Sequence, residues 1–197
     1  MVKGEMNMKT NRKSEHAIDP IYLNRWSPRA FDVKEVEEEK LNAVLEAARW
    51  APSAANWQPW HYVVATEKQE RDKFLTFIVE GNLVWCMHAP VLIAILSKKV
   101  RTEAGDINPF HAFDAGTSWG YLSLEASRQG LITHAMGGFD ADKARVELNI
   151  PQEYEINAVV ALGYQGDKQS LPAAYQEREV ASDRHDLQDI ISKGTFK

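Results

Sequence analysis

One loop of the chain combines a restrained backbone with several groups that can form hydrogen bonds. The stretch 52–60 reads Pro-Ser-Ala-Ala-Asn-Trp-Gln-Pro-Trp, and its polar side chains are Ser53, Asn56 and Gln58. The prolines near its two ends restrict the backbone, so we expect the loop to hold one shape. Amide and hydroxyl groups on such a loop suit a flat ligand with polar edges. An ordinary helix-to-strand turn, with the two tryptophans capping a core, is the alternative.

A second polar cluster precedes this loop. Arg25, Ser27 and Arg29 place two guanidinium groups and one hydroxyl within five residues. Guanidinium groups form charge-assisted, often bidentate hydrogen bonds with phosphate, so the cluster could bind a phosphate group. The alternative is a pair of exposed arginines with no ligand.

A third segment, Met136-Gly137-Gly138-Phe139, follows a predicted strand. Paired glycines leave main-chain N–H groups accessible and allow a planar ligand to approach closely. An N–H aimed at an atom that becomes negative on reduction would favour hydride acceptance at that atom. A plain turn before the next helix is the alternative, because a glycine pair alone is a weak signal.

The long predicted helix over 110–129 contains two glycines on one face, Gly116 and Gly120. Each glycine costs a helix about 1 kcal/mol relative to alanine. Glycines at this spacing allow another backbone to pack closely, either within the domain or from a second chain.

The sequence gives little support for a catalytic cysteine or for a metal site with histidine ligands. Cys86 is the single cysteine, so the chain has no internal disulfide and no Cys-x-x-Cys motif. His88 lies two residues away, a spacing that points the two side chains to different sides of a helix. We therefore expect Cys86 to be a small buried residue. The six histidines lack the spacing of a metal motif, and we expect no metal site.

Composition favours a single globular domain: the 197 residues are 44% hydrophobic and 26% charged. A formal charge of -5 argues against nucleic-acid binding. The basic cluster of Lys9, Arg12 and Lys13 is typical of a solvated tail. The apolar run at 89–96 is too short to span a membrane, and residues 1–20 show no secretory signal, so we expect a cytoplasmic protein with no membrane partner.

Hydrophobic periodicity and turn residues predict alternating helices and strands. The predicted helices cover 35–50, 67–79, 110–129 and 140–148, and the predicted strands cover 60–66, 90–97, 131–136 and 156–164. Residues 182–191 are expected to add a short strand or helix. The pattern indicates an α+β or α/β sandwich around one central sheet. No Gly-x-Gly-x-x-Gly follows a strand, so a Rossmann nucleotide site is not supported.

In their order and spacing, these segments resemble the FMN-dependent nitroreductase family across about residues 20–191. The matching pieces are Arg25-Trp26-Ser27-Pro28-Arg29-Ala30-Phe31, the stretch 51–60, Ala89-Pro90-Val91-Leu92-Ile93, Asp114-Ala115-Gly116, Gly130-Leu131 and Met136-Gly137-Gly138-Phe139-Asp140. The resemblance implies an α+β fold with a mixed, largely antiparallel central sheet flanked by helices. It also implies an intertwined homodimer with two FMN sites at the subunit interface. The helix that carries Gly116 and Gly120 would lie in this interface.

The polar residues 1–20 are expected to form a flexible arm, and the resemblance assigns residues 21–197 to one FMN-binding domain with a C-terminal extension. Arg25, Ser27 and Arg29 would hold the phosphate, the ribityl chain and the ring edge from one subunit. The loop at 52–58 would reach the FMN of the partner, and Gly137 or Gly138 would offer its N–H to the flavin N5. The implied cofactor-binding residues are Arg25, Trp26, Ser27, Arg29, Pro52, Ser53, Ala54, Asn56, Gln58, Met136, Gly137, Gly138 and Arg184.

One position departs from the family pattern. The family often carries a Lys-x-Arg pair near its C-terminus that contacts the phosphate, and the matching residues here are Ser182-Asp183-Arg184. The arginine carries over and the lysine does not. Phosphate affinity would then depend more on Arg25, Arg29 and Arg184.

The activity implied by the resemblance is a two-step transfer of reducing equivalents. NADH or NADPH would reduce FMN and leave, and a nitroaromatic, quinone or enal would then be reduced. No side-chain acid or base is required, because the flavin carries the redox chemistry. Two alternatives stay open: a flavin-binding or sensing protein without turnover, and a branch related to dehalogenases or flavin destructases. Those branches usually add a lid, for which residues 98–110 are the only candidate.

Overall fold

The structure is a computed structural model that describes residues 11–196. Lys9 and the first half of the predicted N-terminal arm lie outside the described residues. Among residues 11–196, no helix combines the length and the apolar character needed to cross a membrane.

Helices and strands alternate along most of the described chain. The helices are α1 (Pro20–Asn24), α2 (Glu38–Arg49), α3 (Lys68–Leu75), α4 (Glu80–Cys86), α5 (His111–Arg128), α6 (Ala141–Glu147) and α7 (Ala173–Gln176). The strands are β1 (Trp60–Ala65), β2 (Val91–Lys98), β3 (Ile132–Met136) and β4 (Tyr154–Gly163). Short 3-10 helices lie at Ala54–Asn56, Lys168–Ser170 and Leu187–Asp189. The last of these is the element expected within 182–191.

The four strands form one sheet in the order β1-β2-β4-β3, and all three pairings are antiparallel. The predicted α+β class and largely antiparallel sheet are therefore confirmed, with no parallel pairing among the described strands. One of the two central strands is β2, whose residues from Val91 to Ser97 are all buried. A strand covered on both faces needs apolar residues at nearly every position, which explains the uninterrupted apolar run in the sequence.

Helices cover both faces of the sheet and form two cores. On one face, Leu92 and Leu96 of β2 pack with buried aromatic residues of α3 and α4. On the other face, Ile93 and Ile95 pack with α2 and α5. Because alternate residues of a strand point to opposite faces, a single strand supplies both cores.

The helix predicted over 67–79 is shorter than predicted, and α4 lies outside every predicted helix. The chain leaves α3 at Leu75, passes through an extended segment around Ile78, and begins α4 at Glu80. In that segment Val79 donates its N–H to Gly138 O at 3.2 Å, and Phe77 O accepts from the N–H of Asp140 at 2.8 Å. These long-range bonds replace the hydrogen bonds of a continuous helix, and a helical charge pattern gives no sign of them.

Candidate cofactor site

An arginine-lined cavity of about 370 Å³ lies where distant segments of the chain meet. Its lining residues are Arg12, Arg25, Trp26, Ser27, Arg29, His134, Arg178, Val180, Ser182 and Arg184. The cavity therefore brings together five residues predicted for the site: Arg25, Trp26, Ser27, Arg29 and Arg184. Five guanidinium groups around one space make an anion the expected ligand.

The guanidinium groups of the cavity affect one another. Arg25 Nη1 lies 3.4 Å from Ser27 Oγ, so the two side chains predicted to act together do meet. Burial lowers the pKa of Arg25, and repulsion from Arg184 and Arg12 lowers it further. An anion bound among these groups would relieve that repulsion, which favours phosphate binding.

Arg12 lies at the cavity and not in a solvated tail. Its Nη1 donates hydrogen bonds to the carbonyl oxygens of Leu23 at 3.0 Å and Arg25 at 2.9 Å. The expectation of a solvated basic tail is wrong for this residue. The charge pattern alone was uninformative because the partners of Arg12 are main-chain carbonyls, which no side-chain motif reveals.

A histidine, His134, also lines the cavity, and no sequence pattern indicated this position. His134 Nδ1 lies 3.0 Å from the carbonyl oxygen of Pro28, and its ring centroid lies 4.5 Å from that of Trp85. Burial lowers the pKa of His134, and the nearby charge of Arg29 also lowers it. His134 lies mid-strand in β3, where sequence spacing links it to none of the arginines.

The loop before β1 has the restrained shape predicted from its sequence. Ser53 Oγ accepts a hydrogen bond from the N–H of Gln58 at 2.9 Å, and Gln58 Nε2 donates to Asn56 O at 3.1 Å. Ala55, Asn56 and Gln58 have φ values of 48°, 57° and 49°. Non-glycine residues rarely adopt this left-handed conformation, so the surrounding contacts must maintain it. The loop residues do not line the arginine-lined cavity of the described chain.

The two glycines after β3 have different surroundings. A side chain at position 138 would lie 2.7 Å from Asn82 Nδ2 and 2.9 Å from Val79 Cγ2, so close packing with α4 accounts for Gly138. A side chain at position 137 would touch nothing within 4 Å, and Gly137 is exposed. Gly137 lies three residue steps, about 10 Å of extended chain, beyond His134 at the cavity.

The glycine face of α5 is open. A Cβ added at Gly116 or Gly120 would meet no atom within 4 Å. Packing of these glycines within the domain, one of the two alternatives raised by the sequence, is therefore wrong for the described chain. Phe110 and Phe113 next to this face are 50% and 76% exposed. An exposed apolar face with small residues is typical of an interface.

The candidate lid at 98–110 is a short hairpin. Val100 and Ile107 form an isolated antiparallel bridge, and the N–H of Arg101 donates to Asp106 O at 2.8 Å. The guanidinium carbon of Arg101 lies 3.7 Å from the ring centroid of Trp57. The hairpin therefore contacts the loop before β1.

Cys86 is buried, as expected. Burial raises the pKa of its thiol to about 12, so the reactive thiolate is scarce at neutral pH. Among the described residues, no group of three or more histidine, cysteine and acidic side chains could hold a metal ion.

The family model that describes the nitroreductase family matches residues 22–85 and 78–164. The chain belongs to the nitroreductase family. A relative from Thermus thermophilus named NADH dehydrogenase is 32% identical over 175 residues, which cover 74% of this chain and 85% of the relative. The family predicted from the sequence is thereby confirmed.

Solved structures agree with this family and fold. A crystal structure described as an oxidoreductase containing FMN has a TM-score of 0.92 and 39% identity, covering 98% of this chain and 99% of its own. A nitroreductase family protein from Clostridium difficile has a TM-score of 0.71 and 26% identity, covering 89% and 97%.

Proposed function

We propose that this nitroreductase-family oxidoreductase binds FMN with its phosphate in the arginine-lined cavity. NADH or NADPH reduces the flavin, and a small oxidised acceptor such as a nitroaromatic, quinone or enal then takes the electrons. The observation that carries the proposal is the cavity itself, in which the side chains of Arg25, Arg29 and Arg184 meet from distant parts of the chain. The names of the relatives and of the FMN-containing neighbour support the same activity.

The donor set of the cavity fits a phosphate monoester. Guanidinium groups match the geometry of phosphate oxygens and keep their charge at all relevant pH values. The lysine expected two residues before Arg184 is replaced by Ser182, and Arg12 and Arg178 supply positive charge to the same cavity. We therefore expect FMN affinity to survive the absence of that lysine.

The polypeptide would bind and orient the flavin, which when bound supplies the redox chemistry. We assign Arg25, Ser27, Arg29 and Arg184 to the phosphate and ribityl end. The strand end from Met136 to Gly138 would lie beside the ring, and open space around Gly137 would allow close approach. No side-chain acid or base is assigned.

A homodimer follows from the same proposal. The open face of α5 at Gly116 and Gly120 would pack against a second copy, and the restrained loop with Pro52, Ser53 and Asn56 would contact the FMN of that copy. A Gly116→Leu variant would place a bulky side chain in the interface without a clash inside the protomer. Light scattering should give a dimer for the wild type and a smaller species for the variant. A monomeric wild type would contradict the dimer.

The experiment that tests the function uses purified protein loaded with FMN under anaerobic conditions. Addition of NADH or NADPH should bleach the yellow flavin absorbance, and a quinone or nitroaromatic should restore it. Flavin that is retained but ignores both nucleotides would contradict the oxidoreductase proposal and favour a binding or sensing protein. Failure to retain FMN would contradict the cofactor assignment.

A further inference from the structure

The carboxylate of Glu179 holds the arginine segment of the cavity in place. Glu179 Oε1 accepts hydrogen bonds from the N–H of Arg29 at 2.6 Å and of Ala30 at 2.9 Å. The side chain of Glu179 is only 1% exposed. A buried carboxylate that accepts two main-chain hydrogen bonds is a strong anchor, because each bond involves a charged group shielded from water.

The carboxylate of Glu179 leaves the guanidinium N–H groups of Arg29 available to bind a ligand. Glu179 Oε2 lies 3.9 Å from Arg29 Nη1, which is an ion pair but not a hydrogen bond. No hydrogen-bond partner for Oε2 is present among the described residues. Glu179 therefore attracts the guanidinium without using its N–H groups, which can still bind a phosphate.

The anchored segment is fixed from its other side by the segment that follows β4. Gly166 donates its N–H to Ala30 O at 2.8 Å, and a side chain at Gly166 would lie 2.7 Å from the carbonyl carbon of Phe31. Glu179 itself neighbours Arg178, which lines the cavity, and precedes Ser182 and Arg184 in the same C-terminal segment. One side chain thus links the N-terminal and C-terminal walls of the cavity.

We propose that Glu179 is a positioning residue that preassembles the phosphate-binding cavity by joining the Arg29 main chain to the C-terminal segment. This inference rests on the proposed function, since it concerns the FMN phosphate. It applies to the phosphate end alone. Loss of Glu179 should therefore weaken binding of FMN and leave riboflavin, which lacks the phosphate, nearly unaffected.

Two variants distinguish the role of Glu179 as a hydrogen-bond acceptor from the role of its negative charge. Glu179→Ala removes the acceptor, and Glu179→Gln removes the charge but keeps an amide oxygen that can accept the two N–H groups. Glu177→Ala, at an exposed position of the same segment, is the matched control. Flavin fluorescence quenching should show FMN affinity lowered about tenfold or more in Glu179→Ala. Glu179→Gln should retain affinity within a few-fold of the wild type.

The comparison with riboflavin distinguishes a role of Glu179 in positioning the phosphate site from a general role in stabilising the fold. If Glu179→Ala weakens FMN and riboflavin equally, or weakens neither, the positioning role is wrong. Hydrogen exchange of the ligand-free protein gives an independent answer: the amides of Arg29 and Ala30 should lose protection in Glu179→Ala and keep it in Glu179→Gln. Unchanged protection in Glu179→Ala would overturn the anchor. A wild type that binds no FMN would contradict the proposed function, while the exchange result still decides whether the anchor exists.

Discussion

The main-chain N–H of Ala54 donates a hydrogen bond to Asp114 Oδ2 at 3.2 Å. Asp114 is a buried residue of α5, so this bond ties the restrained loop before β1 to the helix that carries the open glycine face. The loop contains three residues in the left-handed region, and such a conformation persists only where neighbouring contacts hold it.

Replacement of Asp114 should therefore loosen this loop. We expect Asp114→Ala to lower the free energy of unfolding by about 1–3 kcal/mol, because the N–H of Ala54 loses its acceptor. Asp114→Asn keeps an oxygen acceptor and should lose less. Urea unfolding gives the stability, and limited proteolysis between Pro52 and Pro59 reports the loop. Equal resistance of the two variants and the wild type would show that the bond does not hold the loop.

Arg25 is the arginine of the cavity whose replacement tests the phosphate site most simply. Arg25→Ala should weaken FMN binding roughly 10- to 100-fold through the loss of charge-assisted hydrogen bonds. Riboflavin binding should change little. Arg49→Ala, which removes an exposed arginine paired with Glu46 on α2, is the control. Full retention of FMN by Arg25→Ala after dialysis would count against the assignment.

The two glycines after β3 should respond differently to alanine. Gly138→Ala forces a methyl group against Asn82 and Val79 and should destabilise the fold by about 1–3 kcal/mol. Gly137→Ala meets open space and should change stability by less than about 0.5 kcal/mol. It should nevertheless weaken flavin binding, because the methyl group occupies the space proposed for the ring. Thermal unfolding and flavin titration of both variants would show whether the two effects separate in this way.

Cys86 should be unreactive in the folded protein. Burial raises the pKa of its thiol to about 12, and the thiol is closed to solvent. We expect a thiol reagent at pH 8 to modify the protein only after denaturant is added. Rapid labelling of the native protein would mean that the segment around Cys86 opens readily.

His134 should make stability depend on pH. Burial lowers its pKa below the ordinary value of 6.5, so the unfolded chain binds a proton more readily than the folded protein does. Its stabilising effect is therefore complete above pH 6.5 and is lost as the pH falls below that value. Urea unfolding between pH 8 and pH 5 should show a smaller decline for His134→Gln than for the wild type. His185→Gln, at an exposed position, should follow the wild type.

Local patterns were sufficient for the elements with strong periodicity. The apolar run of β2 and the hydrophobic periodicity of α5 predicted both elements, because burial imposes those patterns directly. The early end of α3 and the whole of α4 escaped prediction, because long-range hydrogen bonds to Gly138 and Asp140 hold the extended segment between these helices. The helix α1 was also missed, although Asp19 caps it and Pro20 begins it.

Local sequence patterns also predicted part of the arginine-lined cavity. Arg25, Ser27 and Arg29 share one short motif, and the family resemblance added Arg184. Glu179 and Arg178 lie in a polar C-terminal segment without periodicity, and their role depends on contacts with residues near the other end of the chain. The spacing of neighbouring residues in the sequence does not indicate such long-range contacts.

A crystal structure of the protein with FMN would show directly where the cofactor phosphate binds. We expect the phosphate within hydrogen-bond distance of Arg25, Arg29 and Arg184, with the ring extending toward Gly137. A flavin phosphate bound outside the arginine-lined cavity, with these guanidinium groups facing solvent, would contradict this expectation.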